Sequence, residues 1–534
     1  MAELFLPLDG LLGCGGDPRL NIDPESGMNQ YGCRPLPCPD TISLGSSTAT
    51  SISERAYDRV GNARDRLMRS AISVGIDQAH EARVEAMRGE LKSCLGLLGT
   101  MVEVVFSPSG TDSQLQALFL ASALLGPALT TIVVAADQTG TGTADTARGH
   151  HFSAVTASGS LVRKGEPVAG LGQSVGSVAL PLFDANGACR PQAETDSMVF
   201  AAVETSIAGG SNVLLQVMDS SKLGWRAPSE QCLDEISLRW PDEVQIVVDA
   251  CQMRLGRPRL RKYLDRGYLV IVTGSKFFTG PPFSGALLVP SRHSEALVAI
   301  GDVGPGLCEY SSRSDWPQNW PALRSRFPVR ANLGQWLRWE AALEEIRAYY
   351  SLPDQFRRLA LATLGKGVER IIASSRSLRL LPLQHEPEHG GADDEELAQP
   401  TIFPFVIRHE GRVFSLDECR TIHRALSRNA DSGGCDQEIA AKICLVGQPV
   451  ALGEGSPVAA LRICAGARLV TEAWSLDEGA AHANIERELG RVATAVSKIE
   501  WLLAHTGKRP SAEPSLGGPG TTLPGIVANP LVFH

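Results

Sequence analysis

The chain has 534 residues, a formal net charge of -9 and 43% hydrophobic residues. That length exceeds one compact core, and the mild acidity lacks the basic stripe of a nucleic-acid binder. No apolar run is long enough to span a bilayer. The twelve cysteines are scattered and form no C-x-x-C pair. A zinc ribbon, thioredoxin-like chemistry and a disulfide scaffold therefore lack support, and reduced thiols of a cytoplasmic protein are expected.

The N-terminal stretch "MAELFLPLDGLLGCGG" ends in a Leu-Leu-Gly-Cys step. No Lys or Arg precedes it, and Glu3, Pro7 and Asp9 break the apolar run, which reads against a secretory signal. Residues 1–50 are rich in Gly, Pro and Cys and read as an extended arm. Helical patterns begin at Ser53 and cover roughly 77–98. Apolar, β-branched runs follow at 101–106, 129–136, 212–218, 244–250, 268–274 and 285–290, with helical patterns such as 111–125 between them. Uniformly apolar strands alternating with helices predict an α/β fold with a mainly parallel sheet covered on both faces.

Residues 331–350 read as a long helix leaving this domain. An acidic, Gly- and Pro-broken stretch at 383–400 reads as an exposed loop. A smaller α/β unit follows, with strands near 401–408, 441–446 and 459–464 and helices near 415–428 and 475–504. The expected organisation is an arm at 1–50, a large domain at 51–340, a small domain at 341–505, and a flexible tail at 506–534.

Three stretches carry chemistry. Lys276, in "TGSKFFTGPPFSG", ends an apolar run. Burial there disfavours the ammonium and makes a nucleophilic amine, although a surface lysine just past a strand has the same sequence look. Asp249, in "VVDACQ", ends another apolar run. A buried carboxylate needs a partner, either a cationic ring nitrogen or the N–H groups of the next turn. In "SPSGTDSQ" (107–114) a strand turns into a helix through small and hydroxyl residues, which suits an anion or an ordinary N-cap.

In this order the three stretches resemble the fold type I enzymes that use pyridoxal 5'-phosphate (PLP), the aspartate-aminotransferase superfamily. The flavour is that of class V aminotransferases and cysteine desulfurases, over roughly residues 100–505. The resemblance implies a three-layer large domain with a seven-stranded-type sheet, a small C-terminal domain, and a homodimer with a shared active site. It makes Lys276 the Schiff-base lysine and the mover of the substrate Cα proton. Asp249 would pair with the ring nitrogen, and Gln252 would lie near the ring oxygen. Ser109, Gly110, Thr111, Thr273 and Ser275 would hold the phosphate.

Further implied positions are Asn332 in "VRANLGQW", reaching the neighbour's phosphate, and Arg462 in "AALRICAG", clamping a substrate carboxylate. Tyr31 on the arm would touch the substrate. The family's Asn near the ring oxygen is absent, leaving Asp219 or Ser221 there. Its ring-stacking aromatic is absent too, leaving Gln138 or Thr139, with His150 and His151 nearby. A sulfur-accepting loop cysteine is not in its usual register: Cys444 is two positions early, Val446 holds that place, and Cys435 and Cys308 lie in other loops. The leading expectation is an aminotransferase acting on a small-molecule substrate, an amino acid or amine. A carbon–sulfur lyase or desulfurase comes next, then a decarboxylase, then a PLP-binding module without turnover. No metal, nucleic-acid or membrane partner is expected.

Overall fold

The computed structural model describes residues 2–172, 174–298, 302–383, 396–430, 437–453 and 455–505. Its strands, in chain order, are Ile42–Leu44 (β1), Glu103–Ser107 (β2), Leu129–Val134 (β3), Gly176–Leu180 (β4), Asn212–Met218 (β5), Val244–Asp249 (β6), Leu269–Thr273 (β7), Gly285–Val289 (β8), Leu378–Leu380 (β9), Ile402–His409 (β10), Arg412–Val413 (β11), Cys444–Ala451 (β12) and Ala459–Cys464 (β13). Seven of them form one sheet in the order β2-β8-β7-β6-β5-β3-β4. β3 to β7 pair in parallel, and β8 runs antiparallel to both neighbours. The fold is α/β, as the alternation of apolar runs and helical patterns predicts.

Both faces of this sheet are buried. Ile246, Val248, Val270 and Val272 enter one core, while Val247, Leu269 and Ile271 enter another that includes Leu115 and Leu118 of the helix Gly110–Leu125. Successive strand residues point to opposite faces, so two covered faces make the run uniformly apolar. β4 escaped this signal because it is an edge strand, and its residues are exposed or half-buried.

The second sheet runs β1-β12-β13-β10-β11, with β9 also on β10. Here the arm differs from the expected extended segment. Its β1 pairs in parallel with β12, setting Ile42 against Cys444 and Leu44 against Val446. Further back, Arg338 of the helix Leu333–Tyr350 donates to the carbonyls of Leu12 (3.1 Å), Cys14 and Gly15 (3.0 Å). A buried guanidinium thus satisfies backbone acceptors that would otherwise face a dry interior. β12 starts three residues later than the strand expected near 441–446, and β9 has no counterpart in the sequence reading. Residues 384–395 of the acidic stretch and the tail 506–534 lie outside the described residues.

Candidate active site

The carboxyl ends of β5, β6 and β7 open toward the first turn of the helix Gly110–Leu125, which is where open α/β sheets hold ligands. A cavity of about 190 Å³ lies there. At one end, Ser109 caps the helix: its hydroxyl accepts from the Asp112 N–H at 3.3 Å and donates to Asp112 Oδ2 at 2.6 Å. Its carbonyl takes the Ser113 N–H, leaving those of Gly110 and Thr111 as the helix's first donors. A Cβ on Gly110 would lie 2.5 Å from Cys251 Sγ, so this close approach requires glycine.

Asp112 is buried, and desolvation, helped by the charge of Asp17, pushes its carboxyl up to about 7. Arg19 reaches the same end from the arm. It holds Asp17 through two bonds of 2.8 and 2.7 Å, stands 3.4 Å from the Thr111 hydroxyl and lies over the Phe283 ring at 4.6 Å. Burial opposes its charge, yet the bonds to Asp17 outweigh burial and its pKa goes up.

Lys276 lines the cavity just after β7. The next two residues, Phe277 and Phe278, are buried and pack edge-on against Tyr349, at 5.3 and 5.8 Å between ring centres. The Phe277 N–H donates to the Gln252 carbonyl, and the Phe277 carbonyl accepts from the Ala467 N–H at 2.7 Å. Two aromatic anchors therefore hold the lysine's backbone. Asp249 ends β6, buried, with Oδ1 accepting from the Cys251 N–H at 3.1 Å. Gln252 donates to the Ser47 carbonyl at 3.0 Å, and its Oε1 is buried with no hydrogen-bond partner among the described residues.

Arg462, on β13 of the second sheet, also lines the cavity. It is 2% exposed and donates to the carbonyls of Lys222 (3.0 Å) and Gln448 and to the Thr48 hydroxyl (3.1 Å). Its Nε is a buried donor without a partner among the described residues, and desolvation pulls its pKa down to about 10.

The cavity lining brings together Ser109, Gly110, Thr111, Gln138, Asp249, Gln252, Thr273, Ser275, Lys276, Arg462 and Tyr31. Thr273 spends its hydroxyl proton on the Cys251 carbonyl at 2.7 Å. Gln138 keeps a buried, unpartnered Oε1, and Tyr31 packs edge-on to Phe283 at 5.8 Å. Ser221 is not in the lining: its hydroxyl accepts from the Leu223 and Trp225 N–H groups, each at 3.1 Å, and so shapes a turn. Asp219 faces the other way, toward Tyr263 at 3.0 Å.

Asn332 caps the helix Leu333–Tyr350 and donates to the Gly15 carbonyl at 3.1 Å, outside the cavity. His151 bonds the Tyr310 hydroxyl at 2.7 Å and His150 the Gly165 carbonyl at 2.8 Å, both away from the lining. Cys444 is buried in β12, Cys308 stands near the Arg326 carbonyl, and Cys435 lies outside the described residues.

Sequence reasoning missed Arg19, Ser47, Thr48, Lys222, Cys251 and Gln448, all in the lining. The hydroxyl-rich run "GSSTATS" (45–51) after a short apolar strand was a signal for the second and third. Lys222 sat inside the turn already singled out for Asp219 and Ser221.

No family model matches the chain, and no curated protein does. Solved structures do match. The cysteine desulfurase CsdA from Escherichia coli, in an S-sulfonic acid form, aligns with a TM-score of 0.45 and 14% identity over 87% of this chain and 95% of that one. Oryza sativa TDC, solved with PLP and tryptamine, gives 0.49 and 14% over 88% and 85%. The cystine C-S lyase C-DES, with its reaction product cysteine persulfide, gives 0.48 and 13% over 85% and 98%. At these identities none of them lends a residue role to this chain.

Proposed function

We propose that the chain is a PLP-dependent enzyme acting on an amino acid or amine, and that its reaction is amino-group transfer. One observation carries the reading: Lys276, Asp249, Gln252 and the first turn of the helix Gly110–Leu125 line a single cavity although they lie far apart in the chain. These groups fit the cofactor chemically. Gly110 and Thr111 offer N–H donors at a helix N-terminus to a phosphate. Asp249 is a buried carboxylate available to a pyridinium, and Lys276 is an amine available to an aldehyde. When bound, the cofactor supplies a carbonyl that takes up an amine and a ring that draws electrons from the substrate's Cα.

The chain's own residues do the rest. With the cofactor bound, Asp249 would hold the proton on the ring nitrogen, and Lys276 Nζ would take and hold the proton of the substrate Cα. Arg462 orients a substrate carboxylate, and its hold on that negative charge opposes loss of carbon dioxide, which favours transfer over decarboxylation. Cys251 is the sole cysteine in the lining among the described residues. Burial, reinforced by Asp249, pushes its thiol well up, which disfavours a sulfur-accepting thiolate. The same reading carries a homodimer with a shared site, although Asn332, the residue expected to reach the neighbour's phosphate, caps its own helix and donates to the Gly15 carbonyl. Sedimentation checks it, and a fully active monomer overturns it.

The central test is borohydride reduction of the purified, PLP-loaded protein followed by peptide mapping. The expected label is on Lys276, and a label elsewhere rejects the assignment. Oxo acid formed from an amino donor supports transfer; sulfide or carbon dioxide with no oxo acid from any donor rejects it.

A further inference from the structure

Four basic side chains and one carboxylate line this cavity: Lys276, Lys222, Arg462 and Arg19 with Asp249. Arg19, also in the lining, is already paired with Asp17. The hydrogen bonds of Arg462 go to neutral acceptors, and one of them, at 3.0 Å, is the backbone carbonyl of Lys222 itself. That bond places the Lys222 backbone against the Arg462 guanidinium, and both residues line the cavity.

Lys222 has no carboxylate within ion-pair distance among the described residues. The acid that does act on it electrostatically is Asp137. Both Asp137 oxygens are occupied by backbone N–H groups, those of Leu182 (2.8 Å) and Phe183 (3.1 Å). Desolvation lowers Lys222 to about 8, with the charges of Arg462 and Lys276 pushing the same way. Adjacent desolvated cations without counter-charge are costly, and an anionic ligand relieves that cost. If Ser109–Thr111 hold the phosphate, Arg462 and Lys222 in the same lining are left to take further negative charge.

Resting on the reading of this cavity as a PLP site, we propose that Arg462 and Lys222 together select an amino acid bearing a second acidic group, Arg462 holding the α-carboxylate and Lys222 the side-chain acid. The substrate class is then acidic amino acids, and Lys222 determines specificity.

The test uses PLP-loaded protein and two ligands that have no amine, succinate and butyrate. Affinities are read from the absorbance of the bound cofactor and by calorimetry. Succinate is expected to bind more tightly than butyrate. Lys222→Met should weaken succinate on the order of 30-fold and leave butyrate within about twofold. Lys222→Arg should retain the preference and serves if the Met variant does not fold, while Arg462→Met should weaken both ligands. Equal affinity of the two ligands for the wild type, or equal loss of both in Lys222→Met, overturns the proposal. Failure to take up PLP at all overturns the cofactor reading and this one together. Normal PLP uptake with no succinate preference overturns this one alone.

Discussion

The two ends of the cavity are built in different ways. The end at Ser109, Gly110 and Thr111 is one strand–turn–helix unit, continuous in sequence from β2 into the helix Gly110–Leu125. The opposite end takes Thr48 from the arm, Lys222 from the turn after β5, Gln448 from β12 and Arg462 from β13. The first is held by its own cap, so its geometry follows from local chain chemistry. The second exists only because two sheets meet, and its cations are held by the backbone carbonyls of remote segments. A local unit should tolerate changes elsewhere. A composite wall should fail whenever one contributor moves.

The largest expected effect lies between the ends. Lys276→Ala should lower kcat by roughly 10³- to 10⁴-fold and abolish borohydride fixation, measured by turnover and peptide mapping. At the composite end, Arg462→Met should cost on the order of 10²-fold in kcat/KM, mainly through KM, with cofactor absorbance retained. An unchanged KM would mean that Arg462 only ties β12 to β13.

At the local end, Gly110→Ala should weaken PLP binding about 10-fold by overpacking, because the new Cβ meets Cys251 Sγ at 2.5 Å. Cys251→Ala in the same chain should restore most of that affinity in a fluorescence titration. If the double variant is as weak as the single one, Gly110 acts through backbone conformation instead.

The smallest effect concerns Asp112, whose folded carboxyl titrates near 7, raised from 3.8. A raised carboxyl pKa means the folded state binds its proton more tightly than the unfolded chain does. The wild type therefore loses stability as pH rises from about 4 through 7, and the loss is complete above that. Burial and then Asp17 raise the Asp112 carboxyl, while the Ser109 hydroxyl that donates to it and then Arg19 lower it. Asp112→Asn should melt a few degrees higher than wild type at pH 8 in the absence of PLP, and the gap should close toward pH 4. A constant gap across pH would assign it to packing.

Legibility in the sequence followed the same division. "SPSGTDSQ", "VVDACQ" and "TGSKFF" each end an apolar run, and each places its residues in the lining. Ser221 and Asn332 fall outside it because both are spent on their own backbone, one in a turn and one in a helix cap. Lys222, one position from Ser221, points where only the fold reveals, since a turn reverses facing between neighbours. The arm read as an extended segment outside both domains because β1 is three residues long and satisfies its backbone groups only against β12.

The sequence by itself determined the alternation of strands and helices, the covered sheet, and the three motifs at strand ends. Those depend on burial periodicity and on residues within a few positions of each other. The tertiary structure decided which motifs share a cavity, that the arm supplies Arg19, Ser47 and Thr48, and that Lys222 and Arg462 line it together. Those are contacts between segments up to hundreds of residues apart, and a local pattern carries no record of the partner that will satisfy a distant hydrogen bond.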